Sequence, residues 1–301
     1  MKASFYRALM KFVCPAIRDW DVAKGKFWDS TLAGNSSLRA AVERALKVDN
    51  GVARGAQVGN LRWDMKEFYD SVQLPILCEA LLKHDYPPEL MVLGFFAHTA
   101  PRILKVGTCL GPVVNSCGRS MLAGDQQSVS WARALLNDLM EKLSVADPEF
   151  PCSSHVDDLS HVLIGESKAY LKGKLIKAGK LVGAETKRLQ LELSEKSTLL
   201  PSNQNTRTVV TILLEEGVQI KTGETCDDVG VQMTGSGNRR ASTLNKRIDV
   251  SAANRAKRTR GLVKINPAAT KLTMPGTNAV HAYGHQAQGV SGIQMTNLNT
   301  F

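Results

Sequence analysis

Two adjacent carboxylates, Asp157 and Asp158, follow His155-Val156 between the polar run Cys152-Ser153-Ser154 and the apolar run Leu159 to Ile164. That pattern sets them at the turn of a short β-hairpin. Neighbouring carboxylates repel as they ionise, and burying either raises its pKa unless a cation compensates. A hard divalent cation is the usual partner, so the pair points to metal-dependent phosphoryl transfer, although taken alone it also reads as a solvated turn. A second candidate is Trp63-Asp64-Met65-Lys66-Glu67-Phe68-Tyr69-Asp70, where a strand ends in a carboxylate and passes into a helix. On the same sheet as the hairpin, Asp64 would be the third carboxylate of a two-cation site, one ion activating a 3′-hydroxyl and the other neutralising triphosphate oxygens. Magnesium suits that role because it keeps waters and shares substrate phosphates, with manganese as a substitute.

The elements that must position these residues follow from hydrophobic spacing. Apolar residues recur at helical intervals from Tyr6 to about Trp28 and again from Leu38 to Leu46, after a cap-like break at Gly34-Asn35-Ser36-Ser37. Ala56 to Trp63 alternates like a strand. Leu74 to His84 is an amphipathic helix stopped by Pro87-Pro88, and Glu89 to Ala97 is another. Arg102 to Val114 has glycines and β-branched residues at hairpin spacing. Gln127 to Leu143 is a long helix with Trp131, Ala134, Leu135 and Leu139 on one side. Lys168 to Leu181 is helical, Leu189 to Leu193 is an alternating strand, Val209 to Glu216 is helix or buried strand, and Val218 to Met233 forms two short strands around Gly223.

At 301 residues the chain can bury a full core, and its 38 Lys and Arg against 28 Asp and Glu leave a net charge of +10. Such an excess favours polyanionic partners. Basic residues concentrate past Gly235-Ser236-Gly237, where a boundary is expected: Arg239, Arg240, Lys246, Arg247, Arg255, Lys257, Arg258, Arg260 and Lys264. Ile248, Val250, Leu262 and Val263 interleave with them and suggest helices with one packed face. The scattered cysteines form no C-x-x-C pair, which argues against zinc and disulfide frameworks. Arg7 and Lys11 interrupt the apolar N-terminus, so neither a signal-peptide core nor a membrane span is expected, and the chain reads as intracellular.

In these residues and their order the chain resembles the reverse transcriptases, those of non-LTR retrotransposons more than the retroviral ones. Asp64 to Asp70 is similar to their first palm motif, and His155 to Asp158 to the tyrosine-x-Asp-Asp hairpin. Ala123-Gly124-Asp125-Gln126-Gln127-Ser128 resembles the Gly-x-Pro-Gln-Gly turn that opens a long helix. Leu193 to Ser197 resembles a strand end carrying a lysine, and Asp228-Val229-Gly230-Val231 the start of a primer-contacting hairpin. The resemblance implies an α+β polymerase right hand: partial fingers over residues 1–60, a palm of antiparallel sheet and flanking helices over 61–235, and a basic helical thumb over 236–301.

It implies roles as well. Asp64 and Asp157 would bind both metals with Asp158 assisting, Tyr69 would exclude a ribose 2′-hydroxyl, Gly124 and Gln127 would lie near the templating pair, and Lys196 would serve the departing pyrophosphate. The basic tail would grip an RNA template and DNA primer, deoxynucleoside triphosphates would be the substrates, and a nuclear location fits a retroelement-like protein.

The chain departs from the family pattern in three places. Histidine stands at position 155 in place of tyrosine, Gln126 and Ser128 replace a proline and a glycine, and the basic fingers strands reduce to Lys24, Lys26 and Arg54. A palm that has lost catalysis and only binds nucleic acid is therefore the alternative. A metal-dependent cyclase or nuclease is the weaker third reading, since it has no place for Tyr69 or the Gln127 turn.

Overall fold

The middle strand of the protein, β1 (Gln57–Trp63), is buried from Val58 onward, so both of its faces are covered. In the computed structural model, which describes residues 4–115, 118–202, 207–228, 231–236, 246, 250–251, 253–273 and 283, β1 lies third in a five-stranded sheet. One neighbour is β5 (Asp158–Gly165), which makes a hairpin with β4 (Ser153–His155); the other is β6 (Thr198–Pro201). These pairs are antiparallel, and only the short edge strand β7 (Lys221–Thr222) runs parallel, against β6.

Alternation sends the two sets of β1 side chains to different partners. Leu61 and Trp63, with Leu159 and Leu163 of β5, join the main core beneath α6 (Ser128–Ala146) and α7 (Lys168–Arg188), where Leu135, Leu139, Leu175 and Val182 are buried. Each such leucine contributes about 1.5–3 kcal/mol by leaving water. Val58, Val162 and Ile164 face the other way and pack with Val48 and Val52 of α2 (Ser37–Ala53), whose N-cap Ser36 accepts a hydrogen bond from the Arg39 amide. The fold is thus α+β, a mostly antiparallel sheet flanked by helices, as expected.

The N-terminal helix α1 (Ser4–Lys24) stops short of the Trp28 expected from spacing. Residues beyond it are drawn onto the sheet edge: Ser154 N–H donates to Trp28 O at 2.9 Å and Ser30 N–H to Ser154 O at 3.0 Å. The helix itself is tied down by Tyr6 Oη on Asp125 at 3.0 Å and Trp20 Nε1 on His84 O at 3.0 Å. After β1 come a short turn of helix, α3 (Phe68–Ser71), then α4 (Leu74–Lys83) and α5 (Pro88–Thr99). Gly94 lets α5 close on α6, since a Cβ there would collide with the Trp131 ring and lie 2.8 Å from Gln127 Nε2.

Several expectations shift. α2 and α7 run longer than their apolar spacing implied, to Ala53 and Arg188. The strand expected at Leu189 to Leu193 is the end of α7 and a loop instead, because Leu189 and Leu191 bury into the core from the helix terminus. Val209 to Glu216 resolves as helix, α8 (Arg207–Glu215), and Val218 to Met233 holds three strands, β7, β8 (Thr225–Asp228) and β9 (Val231–Thr234). β1 pairs with β5 along its whole length. The hairpin at Arg102 to Val114 forms as β2 (Arg102–Val106) and β3 (Cys109–Val114), with nearly every side chain exposed. In the basic tail, α9 (Ala253–Ile265) buries no residue; Leu262 is 48% exposed and Ile265 84%, so the packed face expected there is absent among the described residues.

Candidate functional site

The β1–β5 ladder ends where Trp63 pairs with Leu159, so Asp64, the residue after β1, and Asp158, the first of β5, lie at the same end of the sheet. Alternation puts Asp158 on the same face as Ser160 and Val162, which is also the face of Arg62 on β1. Asp157 sits in the two-residue turn joining β4 to β5, beside Val156 at φ 58°. A β-branched residue in the left-handed region is strained, and the hairpin pairs on both sides hold it there.

The backbone of Asp64 is fastened by the loop after α7. Its N–H donates to Ser197 Oγ at 3.1 Å, and its carbonyl accepts from Ser194 N–H at 2.8 Å and from Ser197 Oγ at 3.2 Å. Ser197 is fully buried. The adjoining Lys66 N–H reaches Glu192 O at 2.8 Å. Three separate chain segments therefore meet at one end of the sheet, each held by main-chain bonds rather than by the carboxylates themselves.

The carboxylates feel one another. Burial pushes the Asp157 carboxyl up to about 6 against a hydrogen bond from its own amide, and Asp158 and Asp64 push it in the same direction. Burial also raises Asp158; Arg62 opposes that shift, while Asp64 and Asp228 add to it. The Tyr69 hydroxyl is raised by burial and by the Asp157 charge, and its ring packs partly against the core. Carboxylate oxygens are donors for a hard cation, and charge crowding of this kind is what such a cation relieves. Among the described residues, no three His, Cys, Asp or Glu side chains are arranged to enclose one metal ion by themselves. Magnesium does not require that, since it typically takes one or two carboxylates and completes its shell with water and substrate phosphate.

Beneath the aspartates lies a buried charge network that spacing did not reveal. Arg62 Nη1 is 2.7 Å from Asp228 Oδ1, and Arg44 donates to the same carboxylate through Nε at 2.6 Å and Nη2 at 2.7 Å. Asp228 has no solvent exposure. Arg44 also reaches Ser153 Oγ at 3.0 Å, while Arg62 Nε has no hydrogen-bond partner among the described residues. The network joins α2, the central strand β1 and the end of β8. One signal pointed to it: an arginine inside the strand Val58-Gly59-Asn60-Leu61-Arg62-Trp63, two residues before Asp64 and hence on its face.

The remaining expected residues differ in exposure. Gly124 takes φ +75°, the conformation its turn requires, and nothing crowds it. Gln127 is fully buried; its Oε1 accepts from Tyr86 Oη at 2.8 Å and its Nε2 lies 4.0 Å from Met10 Sδ of α1. Its side chain therefore ties Tyr86 and α1 to the start of α6. Lys196 is exposed and its ammonium makes no ion pair among the described residues; it lines a groove of about 800 Å³ with Lys66, Lys187 and Glu195. His155 is tied through Nδ1 to Ser30 Oγ at 3.0 Å. Lys246, Arg255, Lys257, Arg258 and Arg260 are exposed, whereas Arg239, Arg240 and Arg247 lie outside the described residues.

No family model and no curated protein matches the chain in sequence. Among solved structures, it is similar to apo telomerase from Candida tropicalis, with 13% identity, a TM-score of 0.48, and coverage of 81% of this chain and 42% of that one. A form of that enzyme truncated from the C-terminal domain gives 15% identity, a TM-score of 0.41 and coverage of 77% and 43%. Telomerase from Candida albicans, in complex with a TWJ fragment of telomeric RNA, gives 13% identity, a TM-score of 0.48 and coverage of 80% and 42%. The chain spans about two fifths of the length of these structures.

Proposed function

We propose that this protein is a template-directed nucleotidyltransferase, an RNA-directed DNA polymerase that extends a DNA primer on an RNA template. One observation carries the reading: Asp64 and Asp158 lie at the same end of β1 and β5, Asp157 sits on the adjoining turn, and the Asp64 charge raises the proton affinity of both Asp157 and Asp158, with the Asp157 charge felt at the Tyr69 hydroxyl. Magnesium, or manganese in its place, would be held between Asp64, Asp157 and Asp158 and would supply charge neutralisation at the triphosphate and activation of the primer hydroxyl.

The protein's own residues do the rest. The loop carrying Ser194 and Ser197 holds Asp64 against β1, and the strained turn presents Asp157 beyond the end of β5. Positioning of this kind, with charge stabilisation, is most of what catalysis of phosphoryl transfer asks of a protein. The Tyr69 ring would lie against the sugar of an incoming nucleotide and refuse a 2′-hydroxyl. The exposed cations of α9 would bind phosphates without regard to base, giving affinity that falls steeply with salt.

A second reading is favoured by Gln127: with that side chain buried under Tyr86 and Met10, the chain could bind nucleic acid without catalysing extension. Primer extension on an RNA template with magnesium and deoxynucleotides separates the two. The polymerase reading expects extension by the protein and none by the Asp157→Asn, Asp158→Asn variant. Retained duplex binding with no extension by either establishes the second reading.

A further inference from the structure

On the far side of the Asp157–Asp158 hairpin, the loop after α1 meets α2 around a cavity of about 290 Å³. Its walls include Phe27, Ser30, Asn35, Arg39, Glu43 and Lys47. Phe27 is 72% exposed, an unusual position for a phenylalanine that is not loosely held. Its ring sits edge-on to Trp28, with centroids 5.0 Å apart, and Trp28 itself packs on the core. The next residues are stitched onto β4 through Trp28 O, the Asp29–Ser154 bridge and Ser30 N–H. Asp29 is clamped in turn by Arg133 and by Thr31. The aromatic ring is therefore displayed to solvent from a rigid ledge.

The surroundings are polar and cationic. Arg39 keeps a 71% exposed side chain even in its surface pair with Glu43, and Lys47 lies two turns further along α2 on the same cavity. On the floor, the Arg44 charge is already balanced by Asp228. Ser30 joins this cavity to the aspartate hairpin, since its Oγ touches both Ser154 O at 2.9 Å and His155 Nδ1 at 3.0 Å. An apolar protein anchor would meet hydroxyls and amides here rather than a greasy rim. A flat base with a phosphate attached meets a ring face to stack on and two cations, Lys47 and Arg39, whose partner carboxylate Glu43 a phosphate can displace.

We propose that this cavity binds one unpaired nucleotide of a single-stranded nucleic acid, its base stacked on Phe27 and its phosphates paired with Arg39 and Lys47. A base already paired in a duplex cannot enter a space of this size, so the site selects single strands. The inference rests on the nucleic-acid reading above and extends it to a part of the chain that the aspartates do not occupy.

The experiment measures fluorescence anisotropy of a labelled oligo-dT and oligo-rU, and of a blunt duplex, against the full chain. The parent is compared with Phe27→Ala, Phe27→Trp and the Arg39→Gln, Lys47→Gln double variant. Phe27→Ala is expected to weaken single-strand binding roughly 5- to 100-fold while leaving duplex binding unchanged, and Phe27→Trp to restore it. The double variant is expected to reduce the steepness of the salt dependence for single strands by about 1–1.5. Melting curves alongside show that each variant is folded; Phe27→Trp keeps the test open should the alanine variant unfold. Equal single-strand affinity for parent and Phe27→Ala, equal losses for duplex and single strand, or no binding by the parent overturns the proposal. Primer extension run in parallel keeps the two readings apart: selective loss of single-strand binding without extension by the parent sustains the cavity and removes the polymerase, and extension with an indifferent Phe27 does the reverse.

Discussion

Replacing Asp228 by asparagine keeps the shape of the side chain and removes its charge. Two guanidinium groups, Arg44 and Arg62, would then share one amide where they had a carboxylate, with side chains only 5% and 8% exposed. Removing one partner from a buried ionic group costs about 3–5 kcal/mol, because the charge left behind can neither reach water nor easily lose its proton. That is a large part of a typical total stability of about 5–15 kcal/mol, and at about 2–4 °C per kcal/mol it lowers Tm by roughly 6–20 °C. Urea unfolding followed by circular dichroism measures the loss directly. Asp85→Asn serves as control: its pair with Lys24 is at the surface, with Asp85 80% exposed, and its loss should leave the unfolding midpoint nearly unchanged. Replacing the whole network by Arg44→Met, Arg62→Met and Asp228→Leu should recover most of what Asp228→Asn loses. A change within about 0.5 kcal/mol for Asp228→Asn would refute the reasoning, since it would mean that solvent reaches both guanidinia.

Asp157 has a folded pKa raised from 3.8 to about 6, so the folded state binds its proton more tightly than the unfolded chain does. The stability this contributes is complete below about pH 4 and is lost as pH rises through 6, leaving a charged, crowded carboxylate at pH 8. Asp157→Asn should therefore raise Tm at pH 8 while abolishing extension, with the gain shrinking towards pH 4; scanning calorimetry at both pH values checks it, and an equal gain at both would contradict the assignment. Tyr69→Val should raise ribonucleotide incorporation relative to deoxynucleotide by roughly 10–100-fold in single-nucleotide extension, and an unchanged ratio would place the ring away from the sugar. Gly94→Ala should destabilise by about 1–3 kcal/mol in denaturant unfolding, because the added methyl must displace the Trp131 ring; a neutral result would show that α5 can slide on α6.

Local pattern was enough for much of this molecule. The hairpin at Asp157-Asp158, the strand ending at Asp64, the long helix carrying Trp131, Leu135 and Leu139, and the α+β class all follow from period-two and period-3.6 spacing, which records which face of an element meets the core. Spacing failed where burial came from elsewhere in the chain. Leu189 and Leu191 alternate like a strand but are buried from a helix end, and Leu262 and Ile265 of α9 stay exposed among the described residues. Gln127 looked like a substrate contact because its neighbours fit a turn motif, yet Tyr86 and Met10, far away in sequence, enclose it.

Types and order of residues alone identified Asp64, Asp157 and Asp158 as candidates, because the chemistry of a carboxylate does not depend on fold. Only the tertiary structure decided that a seven-residue pairing of β1 with β5 brings Asp64 and Asp158 to one end of the sheet, that Arg62 and Arg44 converge on Asp228, and that the loop after α1 joins the edge of β4 with Phe27 outward. Those contacts join segments far apart in the chain, Ser30 with His155 and Arg44 with Asp228 among them, and a linear pattern holds no record of which distant segment will exclude water from a given side chain or balance its charge.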